Sequence, residues 1–328
     1  MANKIPYPDF WLDKPYYSLN AYLRKQYGQK VYKLSLDASL SCPNRDGTLD
    51  TRGCIFCSSG GSGDFSIKIA SPSTGLFPEA FSLMEQAFSK HPGSPFIGYF
   101  QAFTNTYGDI RYLEEIYSAT LKLPQIIGIS IGTRPDCISQ EILDLLQQLR
   151  LQYPDKFIWV ELGLQTMHED TALYIRRGYD LSCFQERYEL LSGHDIPVII
   201  HIILGLPGES TEKILQTIQY ISTLHPFGVK LQLLHVLEHT DLAEDFRQEK
   251  FRVLSLEEYI SLVSRCICYL SPDIVIHRVT GDGPKNITLA PKWSFDKKRV
   301  LNTLHKYLRD NALFQGCKNM DGNLMECD

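Results

Sequence analysis

No apolar run in this chain reaches the roughly 18 residues that a membrane span requires, so no membrane partner is expected. The N-terminal stretch MANKIPYPDFWLDKPYYSLN contains no continuous apolar segment of the kind that directs secretion, and a cytoplasmic location is expected. There is no low-complexity linker or break in composition along the 328 residues, which predicts one large domain, or one domain with an extension. Positive charge is not in excess. Against 38 Asp and Glu stand 33 Lys and Arg, a net charge of −5, which excludes a protein coated in positive charge but leaves room for a local basic face. Nine cysteines, an odd number in a long chain without an export signal, do not suggest a disulfide framework, and reduced thiols in a reducing compartment fit better. The 44% apolar and 22% charged fractions are those of a soluble globular protein with a sizeable core.

What is present is concentrated in residues 31–65, VYKLSLDASLSCPNRDGTLDTRGCIFCSSGGSGDF. Val31, Tyr32, Leu34 and Leu36 predict a buried strand. It empties into a loop bearing Cys42, Cys54 and Cys57 at C-x11-C-x2-C spacing, too polar and too rich in Gly, Pro and Asn to be core. Thiolates are soft ligands that suit zinc or an iron–sulfur cluster. Structural zinc wants four protein ligands, and no fourth Cys or His lies close by in the loop. A cubane cluster held by three cysteines leaves one iron open to a small molecule. The glycine-rich segment 58–65 that follows reads as a flexible loop beside the cysteines. Cys137, Cys183, Cys266, Cys268, Cys317 and Cys327 are scattered and read as structural, with Cys137 the one near the rim.

From there strands and helices alternate. Strands are predicted at 96–103, 125–131, 157–162, 198–204, 229–236 and 273–279. Helices are predicted at 78–90, 113–121, 139–149 with Ser139 as N-cap, 168–175 with Gly178 as its stop, 184–192, 214–224, 256–270 and 300–308. Such alternation with right-handed crossovers gives an α/β fold with a parallel sheet and helices outside. Polar clusters close the strands, where parallel α/β proteins build their active sites. Singly, each reads equally well as a cap or turn. The aromatic-rich residues 1–30 read either as an arm packed over the core or as a stacking surface.

Three cysteines on the loop after the first strand, with Phe56 just before the last, resemble the radical S-adenosylmethionine (SAM) superfamily. Its usual spacing is C-x3-C-x2-C, and the longer gap here resembles the branch related to the catalytic subunit of Elongator. The resemblance implies a partial (β/α)6 barrel at 31–240, an N-terminal arm at 1–30 and a C-terminal α/β extension at 241–328 that binds substrate. It implies a [4Fe-4S] cluster on Cys42, Cys54 and Cys57, with SAM chelating the open iron. A low-potential donor such as flavodoxin or ferredoxin then drives reductive cleavage to a 5′-deoxyadenosyl radical that abstracts hydrogen from a C–H bond. By position, the segment from Gln101 through Thr104 to Asn105 holds the methionyl amino group. The family's Gly-Gly-Glu is absent there, which leaves the task to backbone atoms. Thr133 and Arg134 belong to the GTRPD pattern of Elongator-related enzymes, and Glu161 and Gln165 fall where polar side chains contact the ribose. Arg177 resembles an arginine that pairs with the methionyl carboxylate in coproporphyrinogen-oxidising relatives, a contact suited to a two-pronged donor. His201 replaces the Asp that relatives often place at a ribose contact, and reads as a core, rim or substrate-facing residue. Leu206 and Pro207 are implied to pack on the adenine.

The C-terminal stretch carrying His277, Arg278, Asp282, Lys285, Trp293, Lys297 and Lys298 is basic in an acidic chain, and reads as a solvated face or a phosphate-binding patch. His277-Arg-x-Thr-Gly-Asp282 and Pro291-x-Trp293 resemble the end of the YtqA/YhcC-like family, and that match runs nearly the full chain. The family is linked to tRNA wobble-uridine modification in the MnmL role, conversion of a carboxymethylaminomethyl side chain to aminomethyl, so tRNA is the expected substrate. No acetyltransferase domain like that of the Elongator subunit is expected. Two alternatives stand beside this: a radical SAM enzyme acting on a small metabolite, and a zinc-stabilised nucleic-acid-binding module without catalysis.

Overall fold

Ile-, Val- and Phe-rich segments alternate with amphipathic ones, and their burial follows that pattern. The computed structural model describes residues 7–318 apart from 13 and 62, so Cys327 lies outside the described residues. The main strands are β1 (Tyr32–Asp37), β2 (Ile67–Lys68), β3 (Phe96–Phe100), β4 (Ile126–Thr133), β5 (Phe157–Gln165), β6 (Val198–Leu204), β7 (Gly228–Leu233) and β8 (Val275–Arg278). Their order in the eight-stranded sheet is β8-β7-β6-β5-β4-β3-β1-β2. β3 is buried at every residue and β6 at all but His201, as expected of parallel strands covered on both faces.

The chain divides into two compact units. Tyr27–Leu164 with Ile175–Ile199 form the first, and the rest of the chain the second. The first thus ends within β6, and residues 7–26 and those from 200 onward share one unit. In the first unit β1 pairs with β3 in parallel from Tyr32↔Phe96 to Leu36↔Phe100, and β4 with β5 from Gly128↔Phe157 to Thr133↔Leu162. In the second, β7 and β8 are parallel through Val229↔Ile276, and Val236–Leu237 forms a short antiparallel ribbon with Thr288–Ala290.

Helix ends show why boundaries shifted from expectation. Helix Gln140–Gln152 is capped by Ser139 as expected, and its stripe of Ile142, Leu145, Leu146 and Leu149 is buried. Each such side chain contributes roughly 1.5–3 kcal/mol by leaving water. Helix Ile110–Leu121 begins earlier than the apolar spacing predicts because the Asp109 carboxylate accepts from the Arg111 and Tyr112 N–H groups. Helices Leu19–Tyr27 and Asp241–Arg247 were not expected. Helix Glu169–Tyr174 ends well before Gly178, which therefore is not its stop.

The arm is packed rather than displayed. Trp11, Tyr17 and Ala21 join Val275 in one buried cluster, flanked by Tyr22, Phe227 and Phe314. Among the described residues no helix is long and apolar enough to cross a membrane.

Candidate active site

In the first unit the loops after β1, β3 and β4 converge. Asn44, fully buried, ties the cysteine loop to a distant segment. Its Nδ2 donates to the Arg176 carbonyl at 2.7 Å and the Arg177 carbonyl at 3.3 Å, and faces Cys54 Sγ at 3.5 Å. Arg45 crosses the loop from inside, donating through Nη2 to the carbonyls of Cys57 (2.7 Å) and Ser58 (2.6 Å). Gly178 sits on Asn44 at φ +81, and a Cβ there would meet Asn44 Oδ1 at 2.6 Å. This close approach, not helix termination, requires the glycine.

Cys42, Cys54 and Cys57 are half-buried and carry no disulfide. Burial pushes the Cys54 thiol up to about 12, with Cys57 adding to the shift, while Arg134 and Asn44 oppose it. Burial likewise raises Cys57, against the pull of Arg45. Thiols that crowd one another this way stay protonated until a metal displaces the protons. Arg134 holds its Nη1 4.0 Å from Cys42 Sγ. Its other donors grip Asp136 as a fork at 2.9 and 2.7 Å, and its guanidinium lies 4.9 Å from the Tyr179 ring centre. Among the described residues no three His, Cys, Asp or Glu side chains form a group that could hold a metal ion. Three thiols faced by a guanidinium and an amide donor suit an iron–sulfur cluster, whose sulfurs accept such hydrogen bonds. Beside them Ser58 Oγ and Asn105 Oδ1 are buried without a partner, so the site has polar capacity to spare.

The segment after β3 is shaped by close packing. Phe103 has φ +58 and donates its N–H to the Gly61 carbonyl at 2.8 Å, where a Cβ on Gly61 would lie 2.4 Å from the Phe103 ring. The glycine-rich loop therefore does border Gln101–Asn105, although Ser62 lies outside the described residues. Buried Thr104 donates its N–H to Ser41 O at 3.2 Å, and the Gln101 N–H reaches Leu36 O at 3.4 Å. Asn105 Nδ2 clamps the ends of β3 and β4 through Phe100 O and Gly132 O. The Thr133 and Thr106 hydroxyls meet at 2.6 Å. Glu161, buried on β5, accepts from Ser130 Oγ at 2.7 Å and Lys33 Nζ at 3.3 Å. Buried Arg177 donates to Tyr179 O at 2.8 Å and Leu164 O at 3.2 Å. Phe56 is half-buried between its two cysteines. Burial raises the Cys137 thiol, and Asp136 adds to it.

The second unit holds the remaining expected residues. Gln165 ends β5 at φ +66, and His201 is half-buried on β6. Leu206 is buried and Pro207 half-buried, in a turn between Gly205 (φ +88) and Gly208 (φ +81). Glu209 accepts from the Thr166 hydroxyl, and burial holds its carboxyl above the usual range despite that bond. In the C-terminal stretch Asp282 accepts from Lys297 at 2.7 and 2.8 Å and lies 3.6 Å from Arg278. Trp293 Nε1 donates to Leu254 O at 3.0 Å, Lys285 lies 5.9 Å from the Phe295 ring, and Lys298 is exposed. His277 is half-buried, its ring centre 5.6 Å from that of Phe227. Buried His235 bonds Ser294 Oγ at 3.0 Å, and burial holds its pKa down to about 4.

Sequence reasoning missed Asn44, Arg45, Asp136 and Tyr179 around the thiols, and Lys33 and Ser130 at Glu161. Asn44 and Arg45 were in view, lying between two cysteines. Lys33 was not, because its partner is 128 residues away.

The first strand of a parallel α/β sheet leads into a loop that carries three cysteines, an arrangement found in iron–sulfur enzymes, and the chain belongs to one such class as a member of the radical SAM superfamily. The superfamily's sequence model matches residues 51–221, and that of the Radical_SAM C-terminal domain matches residues 226–310. Within the superfamily the chain is similar to YtqA of Bacillus subtilis (strain 168), 38% identical over 316 residues that cover 96% of each chain. It is also similar to YhcC of Escherichia coli (strain K12), 33% identical over 291 residues, 89% of this chain and 91% of that one. Among solved structures, the archaeal Methanocaldococcus infernus Elp3 shares the fold with a TM-score of 0.64 at 18% identity, over 87% of this chain and 64% of that chain. The fold is thus the α/β partial-barrel type of the superfamily, and the chain is a radical SAM enzyme that uses a [4Fe-4S] cluster and SAM.

Proposed function

We propose that this enzyme modifies the wobble uridine of tRNA, converting a carboxymethylaminomethyl side chain to aminomethyl. The observation that carries the reading is one constellation in the first unit. A cysteine loop of Elongator-type spacing closes against the Arg134 of a GTRPD segment, 4.0 Å from Cys42. The full-length likeness to YtqA and the fold likeness to an archaeal Elp3 support it.

When bound, the cluster and SAM would supply radical chemistry at a C–H bond, with electrons from a flavodoxin- or ferredoxin-like donor in the cytoplasm. Cys42, Cys54 and Cys57 would hold the cluster, and Arg134 keeps positive charge beside the first of them. Asn44 and Arg45 hold the loop in shape. Within the first unit, the Gln101, Thr104 and Asn105 segment would hold the methionyl amine, Arg177 the carboxylate and Glu161 the ribose. The extension from 241 takes the RNA, through His277, Arg278, Lys285, Trp293, Lys297 and Lys298, with Asp282 orienting two of these cations.

Mass spectrometry of tRNA nucleosides from a deletion strain tests the reading. The aminomethyl derivatives are expected to fall and the carboxymethylaminomethyl precursor to accumulate. An unchanged wobble-uridine profile ends the tRNA assignment and leaves a small-molecule substrate.

A further inference from the structure

Within the second unit, residues 14–17 are held against helix Lys297–Asp310 and the turn after it. The Tyr16 hydroxyl lies 3.1 Å from His305 Nε2, the Gln315 N–H donates to Pro15 O at 2.9 Å, and the Tyr17 N–H donates to Gln315 Oε1 at 2.8 Å. This packing gathers basic side chains from opposite ends of the sequence. Lys14 and His305 are half-buried, and Arg24 and Arg309 are exposed. Burial and then Arg24 hold Lys14 below its usual range, while burial and then Lys14 and Arg309 do the same to His305. Lys298, His305 and Arg309 share one helix stripe, since positions seven and eleven residues apart fall on the same face.

What sets this cluster apart is the lack of ion pairing among the described residues. Arg278 and Lys297 share Asp282, Lys306 pairs with Asp310, and Lys292 donates to Thr288 O. Among the described residues, Lys14, Arg24 and Arg309 form no ion pair with any carboxylate. Like charges brought together by folding repel, and the repulsion is relieved when an anion binds between them.

We propose that Lys14, Arg24, Lys298 and Arg309, over His305, form a surface that grips successive phosphates of an RNA backbone, a proposal that rests on the tRNA reading. In the stretch at 277–297 that looked most basic in the sequence, Asp282 pairs with Arg278 and Lys297. On the face shared by the arm and the last helix, Lys14, Arg24 and Arg309 have no such pairing among the described residues.

The test is equilibrium binding of tRNA to the full-length, cluster-loaded enzyme across a salt series, comparing wild type with K14Q/R24Q/R309Q. Three lost phosphate contacts should flatten the log–log salt slope by about 2–3 and weaken binding roughly 30- to 300-fold at about 0.1 M salt. The control R247Q/K250Q, which removes cations already paired with Glu238 and Asp245, should bind within about threefold of wild type. If the triple variant folds poorly by circular dichroism, R24Q/R309Q, exposed at both positions, should flatten the slope by about 1.5–2. Variants with the wild-type slope and affinity would overturn the proposal, as would a wild type that binds phosphatidylserine vesicles and no tRNA. A changed nucleoside profile in the deletion strain together with unaffected variant binding removes this surface and keeps the tRNA reading. Patch-dependent tRNA binding with an unchanged profile does the reverse.

Discussion

Asn44 is where the cysteine loop is most exposed to a single change. Its side chain is buried, and one amide group serves two backbone carbonyls and faces the sulfur of Cys54, at 2.7, 3.3 and 3.5 Å. Asn44→Ala leaves both carbonyls without that donor. An unmet buried acceptor costs about 1–3 kcal/mol, and part of that is recovered where water enters the gap, so a loss of about 2–4 kcal/mol is expected. Asn44→Asp is nearly the same shape but turns the donor into an acceptor, aimed at the Arg176 carbonyl and at the Cys54 sulfur. It should cost about 1–2 kcal/mol more than alanine. With a urea dependence of about 2 kcal/mol per molar, the alanine change lowers the unfolding midpoint of the metal-free chain by roughly 1–2 M, and the aspartate change by more. Iron and sulfide content after anaerobic reconstitution should fall in the same order, wild type above Ala above Asp, because the amide positions Cys54 as well as the chain. If the Asp variant unfolded within about 0.5 kcal/mol of wild type and took up full iron, Asn44 would be a bystander and the account of the loop would fail.

Two further perturbations probe other parts of the molecule. Lys33→Met removes the cation 3.3 Å from the fully buried Glu161 carboxylate, and because Lys33 is partly solvated the loss should be about 1–3 kcal/mol rather than that of a fully buried pair. K33M/E161Q should recover about 1 kcal/mol or more of the summed single losses in urea unfolding, and strict additivity would show that the pair is not coupled. His235 is neutral and buried with a folded pKa near 4, below the unfolded value of 6.5. The unfolded chain therefore takes up its proton first, and stability is lost as pH falls from about 6.5 to about 4, by up to roughly 3 kcal/mol from this group. His235→Gln should lose less stability than wild type over that window, and parallel pH profiles for the two proteins would refute the assignment.

Much of the fold could be read before any coordinates. The strand–helix alternation, the Ser139 cap and the buried stripe of helix Gln140–Gln152 are written in residues close together in sequence. So is the cysteine loop, since Cys54 and Cys57 are joined by a single turn in which the Cys57 N–H donates to Cys54 O. Where local reading failed, competing local signals explain some misses. Asp109 is a plain N-cap, but the apolar count that began at Leu113 passed over it. Helix Leu19–Tyr27 is rich in Tyr, Asn and basic residues, and is held by packing of Ala21 and Leu23 more than by propensity. Gly178 looked like a helix stop because glycine often is one. Its reason is a side chain 134 positions earlier.

The sequence alone pointed to the class of chemistry, through the resemblance of the cysteine loop to the radical SAM superfamily, and it settled the alternating architecture, because periodic burial is a local property. Tertiary structure decided which charges are satisfied. That Glu161 meets Lys33, that Asp282 pairs with Arg278 and Lys297, and that Lys14, Arg24 and Arg309 form no ion pair among the described residues depends on distances between residues far apart in the chain. Electrostatic free energy falls off with separation in space and is blind to separation in sequence, so neutralised and uncompensated cations look identical until the chain is folded.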